Sequence, residues 1–203
     1  MAKLKIFERV KTWVTMRKEL KKANKHSVEI GVFGSDDSFL AMLANVHEYG
    51  VTIKPHGQWL TIPTKAAGGR TARDFGRELF RPHGKNVLAV SRGNGQIEVM
   101  FILKKSVTIP ERSFIRSTFD ERNAEWSRFF DDQLQLLIAG RLTADQVFDR
   151  LGQKMVADVQ DKIRKISSPA NAAITRENKG SSNPLVDTGR LSQAISYKVV
   201  SRR

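Results

Sequence analysis

From Ile115 to Ile166 the apolar residues recur three and four positions apart, broken by a glycine, Gly140. Ile115, Phe119, Trp126, Phe130, Leu134, Leu137 and Ile138 line one side of a helix, and Val147, Phe148, Leu151, Met155, Val159, Ile163 and Ile166 line a second. Gly140 can supply the left-handed cap that ends the first, and Thr143 with Gln146 forms a capping-box pair in front of the second. So short a turn makes two antiparallel helices the economical arrangement over residues 111–166.

Upstream, the period changes. Lys3 to Ala23 carries Ile6, Val10, Trp13, Val14 and Leu20 at helical spacing with a basic opposite face, which predicts an amphipathic helix. Ser27 to Gly34 alternates as a strand does, and Asp36, Asp37 and Ser38 offer caps for a short helix over Phe39–Tyr49. On that helix Leu40, Leu43, Ala44 and His47 share a face, and Gly50 closes it. Val51–Ile53 and Trp59–Ile62 read as short strands. Val87–Val90 and Ile97–Leu103, joined around Gly93-Asn94-Gly95, read as a hairpin at the centre of an antiparallel sheet, because Asn and Gly both tolerate positive φ.

Residues 64–86 interrupt this pattern with an inserted excursion rich in Gly and Arg. Thr71 and Asp74 can cap a short turn there that carries Phe75 and Leu79 and stops at Pro82. Residues 167–183 are rich in Ser, Asn, Ala and Gly and are expected to be a flexible loop that orders against a partner. In residues 184–203, Asp187 and Thr188 are expected to cap a short turn over Leu191, Ala194 and Ile195, and Ile195 to Val199 alternates as a closing strand, in this subunit or a neighbour. The fold expected is α+β. A small, mostly antiparallel sheet is packed by the N-terminal helix and the long two-helix hairpin, with residues 1–166 as a single domain and a C-terminal strand completing it or a neighbour.

Composition narrows the chemistry. The 203 residues include no cysteine, so thiolate metal sites and disulfides are excluded, and a reducing compartment is the default. No span is apolar enough for a membrane and no signal-peptide core follows the basic start. His26, His47, His56 and His83 lie in separate elements without metal-pair spacing and are expected to be structural or surface residues. Gly68-Gly69-Arg70 lacks the Lys-Ser/Thr of a phosphate loop, and no serine sits in a nucleophile elbow. Neither a cofactor nor an enzymatic activity is expected. The net charge of +14 instead calls for an anionic partner, either nucleic acid or an acidic protein surface.

Four stretches resemble one known group of proteins. They are Asn45-Val46-His47-Glu48-Tyr49-Gly50, Trp59-Leu60-Thr61-Ile62-Pro63, Phe101 to Arg116 with its Ile109-Pro110-Glu111-Arg112-Ser113-Phe114-Ile115 core, and Pro184-Leu185-Val186-Asp187-Thr188-Gly189-Arg190-Leu191 running on to Ile195. In this order the chain resembles the tail-completion and head–tail joining (neck) proteins of tailed bacteriophages, the phage virion morphogenesis or minor tail protein group. Glu111 and Ser113 stand where the group more often has Ala and Pro. The resemblance implies a non-enzymatic virion protein, a subunit of a homo-oligomeric ring, commonly a hexamer, in the neck. Its implied partners are the tail tube or tail terminator, the head-side connector and, without sequence preference, packaged DNA. Assembly in the host cytoplasm would precede residence in the virion.

A tail-terminator ring is the alternative within the group, and a free nucleic-acid-binding module the alternative outside it. Arg70, Arg73, Arg77, Arg81, Arg112, Arg116 and Arg190 are the interface or DNA-path candidates. Arg112 and Arg116, at the start of the long helix, gain nothing from its dipole and are expected either to meet an acidic neighbour or to face solvent. Replacing Arg112 with Glu is expected to block assembly and leave the monomer folded.

Overall fold

The computed structural model describes residues 2–179 and 183–201, the first ten of these by backbone alone. In chain order the elements are α1 (Ala2–Ala23), β1 (His26–Gly31), α2 (Ser38–Tyr49), β2 (Val51–Ile53), β3 (Leu60–Pro63), 3-10 segments at Lys65–Ala67 and Ala72–Glu78, β4 (Val87–Gly93), β5 (Gln96–Lys104), β6 (Val107–Ile109), α3 (Ile115–Ile138), α4 (Ala144–Lys165), α5 (Ala173–Lys179), α6 (Arg190–Gln193) and β7 (Ser196–Ser201). This is an α+β chain with antiparallel pairing throughout its described strands. The expected small sheet is instead three: β1–β7, β2–β6, and β3–β5–β4.

Contacts group the chain into two compact units, neither continuous in sequence. Unit 1 holds residues 1–44, 113–166 and 188–203, and unit 2 holds residues 45–112 and 167–187.

Unit 1 is built on the α3–α4 hairpin. Thr143 and Gln146 make both capping-box bonds, Gln146 N–H to Thr143 Oγ1 at 3.3 Å and Thr143 N–H to Gln146 Oε1 at 2.9 Å, and Glu19 of α1 accepts from Ala144 N–H at 2.7 Å. These satisfy donors that a helix start would otherwise leave unpaired. Leu137, Ala144, Val147 and Phe148 meet Ala23 in a buried cluster flanked by Leu20, Val28, Phe130 and Leu134. Each large side chain removed from water there contributes about 1.5–3 kcal/mol. Trp126 is buried as well, and its indole N–H donates to Asp158 at 2.7 Å.

The helical stripes are not uniformly covered. Trp13 and Val14 of α1 stay more than half exposed, as does Phe119 of α3. Ile6 and Val10 lie outside the residues whose side chains are described. The terminal strand β7 pairs with β1 of its own chain, from His26↔Ser201 to Gly31↔Ser196. A two-stranded sheet is marginal alone, and packing against α4 supports this one: the Tyr197 ring lies directly over Gly152, and the Tyr197 hydroxyl donates to Asp149. Asp37 caps α2 by accepting from Leu40 N–H at 2.9 Å, and Leu40 and Ala44 of that helix are buried.

Unit 2 is centred on β5. Its hairpin with β4 turns at Asn94-Gly95, both with positive φ (51° and 75°), as the sequence requires of a tight two-residue turn. Met100 and Phe101 are buried with Ala67, Phe75 and Val90, so the 64–86 excursion supplies part of this core. Thr71 and Asp74 form the expected capping box, at the start of a 3-10 segment that Gly76 breaks with φ 55° and ψ −126°. Phe80 and Ala89 exchange main-chain hydrogen bonds at 3.0 Å and tie the end of the excursion back to the sheet.

Candidate functional site

Two of the stretches singled out by resemblance, His47–Gly50 and Ile109–Arg112, meet within unit 2 around Arg112, while Ser113–Arg116 and Thr188–Ile195 belong to unit 1. β2 and β6 pair in register Val51↔Ile109 to Ile53↔Val107, which brings Gly50 against the Ile109-Pro110-Glu111 backbone. Gly50 has φ 67°, and a Cβ there would stand 2.8 Å from Glu111 N. Conformation and space therefore both demand glycine at this position. One residue on, Arg112 N–H donates to His47 C=O at 2.7 Å.

The Arg112 side chain turns inward and is 4% exposed. Its Nε donates to Pro169 C=O at 2.6 Å, and its Nη2 to Ala170 C=O at 3.1 Å and Asn171 Oδ1 at 3.2 Å. Burial pushes the guanidinium below its ordinary value. Carbonyl oxygens at hydrogen-bond distance compensate that desolvation. Arg112 is therefore a clamp on residues 169–171, not a surface contact, and the residues it binds are carbonyls and an amide where an acidic neighbour or solvent was expected. A glutamate here would set a carboxylate against carbonyl oxygens, so Arg112→Glu disrupts unit 2 and cannot test assembly.

His47 and Lys179 complete the cluster. His47 Nδ1 is buried without a hydrogen-bond partner among the described residues, and desolvation, followed by the nearby Arg112 and Lys179 charges, lowers its pKa to about 4. Lys179 donates to the carbonyls of Asn183 and Pro184 at 3.0 and 3.1 Å, and burial lowers its pKa. Asn178 of α5 donates to Pro63 C=O at 3.0 Å, the end of the Trp59–Pro63 stretch. Residues 167–183, expected to be a flexible loop, thus contain α5 and are held to unit 2 at both ends of that helix. Gly180, Ser181 and Ser182 lie outside the described residues.

The remaining sequence candidates fall elsewhere. Arg70, Arg73, Arg77 and Arg81 are exposed on unit 2. Arg116 is exposed on the first turn of α3. Arg190 pairs with Asp37 at 3.2 Å within unit 1 and is 61% exposed. The cap of α6 is Gly189, with φ 79° and no side-chain bond, in place of Asp187 and Thr188.

Sequence reading passed over Trp59 as a site residue. Its ring lies under Lys105 Nζ at 3.9 Å and Arg81 Cζ at 5.0 Å, and its buried Nε1 has no acceptor among the described residues. The aromatic inside a strand bounded by basic segments was the available signal. In unit 1 an open groove of about 610 Å³ is lined by Leu20, His26, Phe119, Trp126, Phe130 and Met155 among others.

Among the described residues no three His, Asp or Glu side chains come together to hold a metal ion, and no helix is long and apolar enough to cross a membrane. Comparison of the chain with family models, with curated proteins and with solved structures finds no match.

Proposed function

We propose that this chain is a structural subunit of a tailed-phage virion, completing the head-proximal end of the tail and joining it to the head as a ring in the neck. The observation that carries the reading is the packing of three of the four family-like stretches in unit 2. His47–Gly50 meets Ile109–Arg112 through the β2–β6 register and the Arg112 N–H bond to His47 C=O, and Leu60–Pro63 meets Phe101–Lys104 through the β3–β5 register. The reading also gives a use to exposed apolar side chains, since Trp13, Phe39, Met42 and Phe119 are each at least half exposed on unit 1.

The test is electron microscopy of particles assembled with and without the chain. Loss of head attachment with tails of normal length is the expected result. Overlong tail tubes in its absence would assign it to termination instead, and normal virions would refute both.

A further inference from the structure

We infer that one end of the β3–β5–β4 sheet, together with the 64–86 excursion, is a surface for the phosphate backbone of duplex DNA. Register places the residues. Leu60 pairs with Lys104, and Leu103 N–H donates to Asn86 C=O at 2.8 Å. The start of β3, the end of β5 and the approach to β4 therefore share one end of the sheet, and Trp59, Arg81, Lys85, Lys104 and Lys105 lie there. Arg81 is fixed by bonds to Lys85 C=O and Asn86 Oδ1, both at 2.8 Å, and Lys105 by a bond to Gln58 C=O at 3.2 Å. Both cations are held over the Trp59 ring.

The opposite end of the sheet is different. At the Asn94-Gly95 turn the cation Arg92 is matched by Glu98, whose carboxylate accepts from Arg92 Nε at 2.6 Å. By contrast Arg70, Arg73, Arg77, Arg81, Lys85 and Lys105 are exposed and take part in no ion pair among the described residues. Over residues 64–86 six Lys and Arg face two carboxylates. One of these, Asp74, is occupied in the Thr71 capping box, which leaves Glu78. Arg70, Arg81 and Lys105 lie over aromatic rings of the unit, whereas Arg73, Arg77 and Lys85 leave their charge unmatched by any ion pair among the described residues.

The character of the surface selects the polyanion. An acidic protein partner would be expected to find an apolar centre ringed by charge, but Ala67 and Phe75 of the excursion point into the core and Phe80 stays partly exposed at 40%. Single-stranded nucleic acid needs open aromatic faces for stacking. Here Arg70 lies over Phe75 at 3.9 Å, and Arg81 and Lys105 cover Trp59. With Phe80 the one exposed Phe, Trp or Tyr among the described residues 64–86, cations outnumber stacking platforms, which fits the regularly spaced phosphates of a duplex, read without sequence. In the virion this assigns the genome-facing side of the ring, a point that rests on the neck reading; the binding itself does not.

The test titrates the full chain onto a fluorescent random-sequence duplex of about 30 bp, followed by anisotropy between about 50 and 200 mM salt. Affinity is expected to be independent of sequence and to fall linearly in log–log form with salt. Arg73 and Arg77 make no described contact, so R73Q/R77Q should keep the wild-type circular dichroism while reducing the salt slope by about 2, at ~0.9 per lost phosphate contact. K18Q/K21Q, which removes two exposed cations of α1, should leave the slope as it is. Absence of salt-dependent binding, a slope unchanged by R73Q/R77Q, tighter binding to a single strand, or binding to polyglutamate in preference to the duplex would each overturn the inference. Virions that still lose their heads without the chain would leave the neck reading standing while the DNA surface fails.

Discussion

His47 shows how a residue without chemistry of its own can govern stability. Its ring is desolvated beside Arg112 and Lys179, and its pKa of about 4 lies below the value near 6.5 that an unfolded chain would give it. A histidine with a lowered folded-state pKa binds more protons unfolded than folded between those two values. Stability is therefore fully present above pH 6.5 and declines as pH falls toward 4, by up to ~1.4 kcal/mol per unit for this one group. Urea denaturation at intervals over that window should show the decline, and His47→Gln should flatten it while leaving the slope above pH 7 unaltered. Equal pH dependence in the two proteins would mean that the ring is solvated. Arg112 next to it has a comparable role, because replacing a cation that orders three acceptors loses more than its charge.

Among the elements, the contact of α4 with β7 has a sign that magnitudes decide. Alanine in place of a mid-helix glycine normally gains about 1 kcal/mol. At Gly152, however, an added methyl runs into the Tyr197 ring, and overpacking of that kind costs about 1–3 kcal/mol. Gly152→Ala should thus lower the thermal midpoint, whereas in a Tyr197→Ala background the same change should raise it; additive effects in this double-mutant cycle would sink the packing argument. What the sequence made legible here was local. The Thr143/Gln146 box and the Asn94-Gly95 turn depend on residues no more than three apart, and both are found, as are the helices, although Trp13, Val14 and Phe119 of their stripes stay exposed. What it hid was non-local: Arg112 looks like a surface charge until residues 169–171 close over it, and a strand tail such as β7 does not name its partner. Asp187 and Thr188 misled because good capping chemistry does not fix where the helix begins, which is at Arg190 with Gly189 as its cap. The three separate sheets were illegible for the same reason, since pairing partners such as β1 and β7 stand at opposite ends of the chain.

At the scale of the whole molecule the charge is unevenly placed. Twenty-two Lys and Arg against fourteen Asp and Glu leave unit 1 at +8, and thirteen against seven leave unit 2 at +6. Residues 113–166 are balanced at nine of each and hold most of the described ion pairs, among them Lys154 with Glu125 and Asp158, and Lys162 with Glu121. Salt therefore acts in two directions. It screens the pairs of the hairpin, each worth only about 0–1 kcal/mol at the surface, and it screens the self-repulsion of an excess of fourteen positive charges. The Debye length shrinks from about 30 Å at 0.01 M to about 10 Å at 0.1 M, so repulsion spread over a whole unit is removed more completely than attraction between touching groups. Raising NaCl through that range should raise the melting temperature. Hydrogen exchange resolved by segment should place the added protection in residues 45–112, with little change in residues 113–166. A melting temperature that falls with salt, or protection gained mainly in the hairpin, would show that paired charges and not the excess govern the stability of this chain.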